Sequence, residues 1–404
     1  MMEPEAPADD AGIAAAIAAA AARGEPLSIM GNASKAPMLR PVQAARTLST
    51  RNLSGVTLYS PAELVLAARA GTPLSVLEET LAGHGQHLIA EPPDLDALLG
   101  TAASATLGGA VAANLSGPRR VAWGAMRDHV LGMRAVNGEG TAIRSGGRVL
   151  KNVTGLDLCK LIAGSHGTLA VMTEITLKVL PASESTGTVA VLGVDAASGV
   201  AALAAALGSP YAVSGAAYLP AEAAASVSAL AGLASGPGIA LARIEDFTSS
   251  VTYRCERLAA KLGRFGSIRQ IEDGTSRPLW QAIRDVMPLA DRPEAAIWRV
   301  SVRPSAGPAL AAAAAALGAR WFLDWGGGLV WIAAVPNAAT HRTISEAASA
   351  AGGTWMLLRA PDTLRTAVPV LPPLSPVLDR LTRRLKAAFD PMGILNPGRM
   401  YAGI

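Results

Sequence analysis

The sequence predicts an α+β fold in two packed units, and three observations carry that prediction. Residues 1–185 hold short apolar strands punctuated by glycine-rich turns. Residues 186–345 change character: alanine-rich helices alternate with short strands, the pattern of helices packed on an antiparallel or mixed sheet. Residues 346–404 add a proline-rich link, a basic helix and a closing glycine–proline turn. At 404 residues the chain exceeds a single core, so two or three subdomains are expected, with the first unit dividing near residue 100.

The first helix is expected over 11–22. Asp9 or Asp10 caps it, Ile13 and Ile17 lie one turn apart, and Gly24 stops it. A strand at 26–30 runs into the polar turn Gly31-Asn32-Ala33-Ser34-Lys35. Strands are expected at 48–50, 55–59 and 66–70, with a helix starting at Pro61 behind Ser60 as its cap. Leu74, Leu77 and Leu81 mark one face of a helix that opens at Thr72-Pro73 and ends at Gly83 and Gly85. A strand at 87–90 and a turn at Glu91-Pro92-Pro93 follow. Strands at 130–136 and 141–144 flank Asn137-Gly138, a hairpin signature. Apolar and polar residues alternate over 173–180, as in a half-buried strand. In the second unit helices are expected at 196–207, 221–233, 250–262 and 308–317. Strands are expected there at 189–194, 239–245, 296–302 and 328–334. The link spans 368–376 and the basic helix 376–389.

Composition narrows the function. Half of the residues are apolar and only 4% are aromatic, so burial is not limiting. The net charge of +4 is spread over many arginines, which argues against a nucleic-acid surface and suits a small anionic molecule. Cys159 and Cys255 imply a reducing compartment and are too few for an iron–sulfur cluster. The acidic start, with Glu3, Glu5, Asp9 and Asp10, is unlike a secretory signal, and the run 11–22 is too short to span a bilayer. The chain is therefore expected in the cytoplasm, with contact to the inner face of the membrane made through partner subunits.

Three segments point to a bound phosphate. In Gly31–Lys35, a glycine turn, inward amides, a hydroxyl and a lysine make a nest for a diphosphate; an ordinary strand-to-turn loop fits the same residues. In 106–114, Gly108 and Gly109 remove side chains where a ring or sugar could sit, or where a tight turn precedes a buried helix. Gly164–Thr168 is glycine-flanked and carries two hydroxyls. His84 and His87 could chelate a metal, but a solvated loop is the default, and no metal site is expected.

Taken together with Gly71-Thr72-Pro73-Leu74, Glu91-Pro92-Pro93, 105–118, Arg127-Asp128-His129-Val130-Leu131-Gly132, 147–153, 164–181 and 389–401, these segments resemble flavoproteins of the vanillyl-alcohol oxidase and p-cresol methylhydroxylase type. More narrowly they resemble the FAD-binding, E-type subunits of three-part glycolate dehydrogenases. The likeness covers 1–185 and the tail, and the middle poorly. It implies a two-subdomain FAD-binding domain over 1–185, a reduced α+β cap over 186–345, and a segment 346–404 that returns to the flavin. It also implies that Gly31, Asn32, Ala33, Ser34 and Lys35 embrace the FAD pyrophosphate. Thr106, Gly108, Gly109, Ser116 and Gly117 would flank the flavin and ribityl chain, and Gly167, Thr168 and Ile175 would lie along the cofactor. Asn396 and Arg399 would reach the isoalloxazine from the C-terminus, where a cation near the pyrimidine edge raises the potential. No histidine or cysteine stands in the covalent-linkage pattern, so non-covalent FAD is expected. The family's first loop has a further glycine after its lysine, where this chain has Met38-Leu39-Arg40. His166 is expected as a surface or supporting group.

The resemblance implies a glycolate (D-2-hydroxy acid) dehydrogenase complex, in which this chain holds FAD beside a catalytic flavin subunit and an iron–sulfur subunit. Relatives that oxidise 2-hydroxy acids carry a histidine–glutamate metal cluster that this chain lacks, and no general base can be named. Two alternatives stand beside this one. A free-standing dehydrogenase would grip the substrate carboxylate with Arg243, Arg254 or Arg299. A non-catalytic subunit would keep only a vestigial flavin site.

Overall fold

The structure, a computed structural model, describes residues 3–147, 156–233 and 236–404; most of the 147–153 motif therefore lies outside the described residues. Two sheets organise the chain. The first has five antiparallel strands in the order Val56–Ser60, Val65–Arg69, Ala170–Lys178, Val130–Asn137, Ala142–Gly146. Its central strand aligns Ile175 with Ala68 on one side and Met133 on the other. Leu66, Ala68, Met133, Ile175 and Leu177 pack with Leu74, Leu77 and Leu81 of helix Leu74–Ala82 and with Leu107 and Val111 of helix Leu107–Ala113.

Helix Asp10–Arg23 follows the sequence reading closely. The Asp9 carboxylate accepts from the Gly12 amide at 2.8 Å, and Gly24 ends the helix at φ 61°. Ile13 and Ile17 join Leu27, Leu48, Val136, Val171, Ile394 and Leu395 in a small core of their own. Leu27–Met30 runs parallel to Arg46–Ser49, and Leu395 adds a parallel bridge to Leu27. Residues from the two ends of the chain thus share one patch of sheet.

The second sheet has eight strands, antiparallel throughout. Their order is Ser267–Ile271, Ser185–Leu192, Gly238–Asp246, Val213–Pro220, Arg320–Asp324, Leu329–Ala334, Ala296–Ser301, Thr354–Arg359. Helices Ala196–Leu207, Thr248–Leu262, Asp273–Arg284, Gly307–Ala315 and Ala338–Ala350 pack on it. Four of its strands and two of these helices have no counterpart in the sequence reading. Val213–Pro220 shows why: it is buried on both faces, so its apolar residues do not alternate.

Three local expectations fail, the first being the strand at 87–90, of which only Gln86–His87 forms, paired with Leu180–Pro181. Residues 61–64 form only a 3-10 turn at Pro61–Glu63: Ser60 makes no capping bond, and Leu64 at φ 57° turns the chain into the next strand. The helix expected over 221–233 stops at Ala225 and is followed by a 3-10 turn at Ser228–Leu230.

Arginines stitch the two sheets together. The Arg243 guanidinium donates to both Glu91 oxygens at 2.9 Å, and Arg119 forks onto Glu245 at 3.0 and 2.6 Å. Trp325 donates its indole N–H to the Gly117 carbonyl at 3.1 Å. Burial would raise Glu245, but Arg243 and then Arg119 outweigh it and hold the carboxyl well below its usual range; Glu91 is depressed in the same way. Among the described residues no helix is long and apolar enough to cross a membrane.

Candidate functional site

A cavity of about 460 Å³ opens where the start and the end of the chain meet. Residues 28–37 form one wall, Thr106, Gly109, Ala112 and Ala113 the second, and His166, Asp362, Arg365, Asn396 and Arg399 the third. A smaller lobe of about 80 Å³ shares Ile29, Met30, Gly31, Gly109, Ala112 and His166 and adds Gly108 and Gly167.

Local sequence explains the walls. Strand Leu27–Met30 ends at Gly31, and a Cβ there would stand 2.4 Å from the Thr106 hydroxyl. Only glycine lets the loop pass this close. Thr106 in turn caps helix Leu107–Ala113 by accepting from the Gly109 amide at 3.3 Å. The loop is pinned from outside by Asn32, which donates to the Ser104 carbonyl at 3.1 Å. The Thr101 hydroxyl donates to the Ser34 carbonyl at 3.2 Å.

The third wall is held by residues from the far end of the chain. The Asn396 side chain accepts from the Ile29 amide at 2.7 Å and donates to the carbonyls of Ile29 at 3.3 Å and His166 at 2.8 Å. Both its N–H bonds are engaged, so it acts as a bracket between the first strand and the 164–168 turn. Arg399 donates to the carbonyls of Lys35 and Arg40 at 2.9 Å, and Arg365 to those of Pro37 and Leu39 at 2.7 and 2.9 Å. Three lining residues without the glycine licence, Ala33, His166 and Asn396, sit at φ 62°, 51° and 43°. Left-handed backbone of this kind is held only where the surroundings enforce it, and it clusters at ligand sites.

The electrostatics are one-sided. Lys35, Arg365 and Arg399 line the cavity against Asp362, which pairs with Arg365 and is largely exposed. Arg399 is pushed down to about 10 by burial first and by the charge of Arg365 second. Burial also lowers Lys35, against Asp96 and Asp94. The Arg365 Nε is buried with no hydrogen-bond partner. His166 is pushed down to about 3, by burial first and then by Arg399 and Lys35, so its imidazole is neutral at physiological pH. A pyrophosphate fits this donor set: it brings the missing negative charge to backbone amides and buried cations.

Of the residues expected at a flavin, the cavity and its lobe bring together Gly31, Asn32, Ala33, Ser34, Lys35, Thr106, Gly108, Gly109, Gly167, Asn396 and Arg399. Four others stand outside these linings. Ser116 accepts from the Met126 amide at 2.8 Å, and Gly117 packs between Glu91 and Arg284. Thr168 donates to Ser165, and Ile175 is fully buried mid-sheet. The sequence reading missed Arg365 and Asp362, which no local pattern marks. It also placed His166 at the surface or in support, whereas the ring lines the cavity, half-buried. Where the resemblance leads one to expect a glycine, Leu39 adopts φ 55° and is fully buried beside Met38, and Arg40 donates to the carbonyls of Arg365, Thr366 and Val368.

The other candidates resolve individually. His84 stacks edge-on against Tyr59, whereas His87 accepts from Arg119 at 2.8 Å through Nδ1, which puts its proton on Nε2; the two do not converge. No group of three potential metal ligands occurs among the described residues. Cys159 and Cys255 are buried in different cores. Arg243 is taken by Glu91 and Arg254 by Asp246, while Arg299 makes no hydrogen bond or ion pair among the described residues and lies 4.9 Å from the Trp325 ring.

A family model described as an FAD binding domain matches residues 5–146, and one described as the C-terminal domain of FAD linked oxidases matches 374–400. Over 380 residues the chain is 35% identical to the glycolate oxidase subunit GlcE of Escherichia coli (strain K12), covering 93% of each chain. It is 33% identical over 141 residues to a D-lactate dehydrogenase of Archaeoglobus fulgidus, covering 35% of this chain and 30% of that one. Its fold is similar to that of p-cresol methylhydroxylase solved with substrate bound, at a TM-score of 0.74 and 13% identity, over 98% of this chain and 87% of the other. The chain carries an FAD-binding domain within the p-cresol methylhydroxylase fold, and it belongs to the GlcE family of glycolate oxidase subunits, among the FAD-linked oxidoreductases.

Proposed function

We propose that this chain is the FAD-binding subunit of a multi-subunit dehydrogenase that oxidises glycolate, or a related D-2-hydroxy acid, to the 2-oxo acid. The observation that carries the reading is the excess of positive charge, Lys35, Arg365 and Arg399 against Asp362, in a cavity built from both ends of the chain. Half-buried Lys35 and Arg399 lack a counter-charge there, and a pyrophosphate supplies it. Residues 31–35 would hold the phosphates through their amides and Lys35. Gly31, Gly108 and Gly109 leave room for close approach, Arg399 compensates negative charge, and Asn396 keeps the 164–168 turn in place. When bound, FAD supplies a two-electron acceptor for the oxidation of an alcohol.

Oxidising glycolate to glyoxylate removes two electrons and two protons, so some group must take the hydroxyl proton. His166 is neutral but, at about 3, is a weak proton acceptor. Among the described residues, the one carboxylate of the lining, Asp362, is paired with Arg365, and this favours a subunit that holds flavin and relays electrons while a companion flavin subunit does the proton chemistry. An iron–sulfur subunit would receive the electrons, since the two cysteines of this chain lie apart. The test is a visible spectrum of the purified chain, followed by anaerobic glycolate and then by the companion subunits. Yellow protein that stays oxidised until the companions are added is the expected result; colourless, stable protein overturns the reading.

One observation favours a second reading, in which this chain turns over substrate itself. Arg299 has an uncommitted guanidinium, and the buried Asp324 carboxyl near it is pushed up to about 7 by desolvation. A carboxylate anchor beside a proton acceptor is what a hydroxy acid needs. Bleaching of the isolated chain by glycolate, abolished in Arg299→Met, would establish it.

A further inference from the structure

Helix Pro376–Phe389 turns a mixed face inward and leaves apolar side chains outside. Leu385 and Phe389 lie half-buried, with Phe389 against the core of the first sheet, and the buried Lys386 ammonium donates to the carbonyls of Thr168 and Leu395 at 2.8 Å and to Asp390 at 2.6 Å. Asp379 and Thr382 lie half-buried on the same side, at the i, i+3, i+7 spacing of one helix face. The outward face carries Val377 and Leu381, which are 64% and 50% exposed, with exposed Ala388 along the same stripe and Leu378, 51% exposed, at its edge. Arg380 and Arg384 flank it, both exposed. The acidic residue within the helix, Asp379, is turned inward and paired with Arg383.

An isolated helix normally buries its apolar stripe and shows its charges to water. Here Val377, Leu378 and Leu381 stay exposed while Leu385 and Phe389 pack inward beside a buried lysine that has three acceptors. The stripe is therefore a surface to be covered. Charge decides what covers it. A second copy packed antiparallel about the middle of the helix would set Arg380 against Arg384, a like-charge contact that disfavours self-association. A groove rimmed with carboxylates on a different polypeptide satisfies both the leucines and the arginines, as in helix-in-groove recognition.

We propose that the outward face of helix Pro376–Phe389, centred on Leu381 and flanked by Arg380 and Arg384, docks into an acidic-rimmed apolar groove of a companion subunit. The identity of that companion rests on the reading proposed above. The inner face of the same helix touches the carbonyl of Thr168, two residues beyond the cavity-lining His166. A partner seated outside would thus stand one helix diameter, about 10 Å, from the wall of the flavin cavity. Electrons would cross at the place where the complex is held together.

The experiment co-expresses the tagged chain with the companion flavin and iron–sulfur subunits and measures co-purification, flavin content and the elution volume of the chain alone. Leu381→Glu and, separately, Arg384→Glu should weaken association about tenfold or more, as loss of a central anchor does, with flavin content unchanged. Both variants associating like the wild type would overturn the docking proposal while leaving the functional reading intact. A wild type that holds FAD but associates with neither companion overturns it as well. Self-association of the wild type, or flotation on vesicles containing phosphatidylglycerol, abolished by Leu381→Glu, would assign the stripe to a second copy or to lipid instead. Loss of FAD from the wild type would count against the functional reading, and docking would still be scored by co-purification.

Discussion

Arg243 and Glu91 meet fork to fork at 2.9 Å across the seam between the two sheets, and the arginine is shut off from water. Replacing Arg243 by Met removes the fork on Glu91 and leaves Arg119 as the single cation beside Glu91 and Glu245. Removing one member of a buried pair costs about 3–5 kcal/mol. A melting curve of Arg243→Met should show a clear loss of stability, and an unchanged curve would mean that the seam does not contribute to cohesion.

Arg399 should matter to cofactor retention through its charge as well as its bonds. Arg399→Ala removes both, whereas Arg399→Lys keeps the charge and loses the fork that spans Lys35 and Arg40. The flavin-to-protein ratio after gel filtration should fall strongly in the alanine variant and partly in the lysine variant. Equal, undiminished flavin in both would remove Arg399 from the cofactor site.

Gly31 and Thr106 should be energetically coupled. A Cβ at 31 would collide with the Thr106 hydroxyl, which cannot swing away without uncapping helix Leu107–Ala113. Gly31→Ala should therefore lower stability by about 1–3 kcal/mol, as overpacking does, and lower flavin content with it. Thr106→Ala introduced with it should recover part of that loss despite removing the cap. A double-mutant cycle that gives simple additivity would contradict the contact.

Acid should loosen the fold through three histidines, against an opposing group: Asp324, pushed up to about 7 by desolvation, favours the fold as pH falls through 7. His87 and His129 are pushed down to about 4 and His166 to about 3, each by burial first. The folded chain then holds these rings neutral while the unfolded chain protonates them near 6.5. Their contribution is fully present above about 6.5 and is lost as pH falls toward 4, at up to about 1.4 kcal/mol per pH unit for each ring. Denaturant midpoints measured between pH 7 and pH 5 should fall steadily. His166→Asn should flatten the slope, and a flat wild-type slope would show that these rings are not buried neutral.

Much of this architecture was legible in the residues themselves. The first helix announced itself through Asp9, Ile13, Ile17 and Gly24, and the hairpin through Asn137-Gly138, because caps and turns are local chemistry. The close approaches at Gly31 and Gly108 were legible because they require missing side chains. Arg365 was not, since its meaning lies in the carbonyls of residues 37–39, more than 300 positions away in sequence. His166 was misjudged because burial is a property of packing, and nothing beside it in sequence shows Lys35 or Arg399 approaching. Strand Val213–Pro220 escaped because sheet interiors covered on both faces leave no alternation to read.

The bracket between Asn396 and Ile29 also imposes an order in time. The two residues are 367 positions apart, which at about 5–20 residues per second separates their synthesis by on the order of 20–70 s. Through that interval the nascent chain holds the first wall of the cavity without the last. Cofactor loading must then wait for the tail, so that the emergence of Asn396, rather than the folding of either sheet, sets the moment at which the cavity is complete.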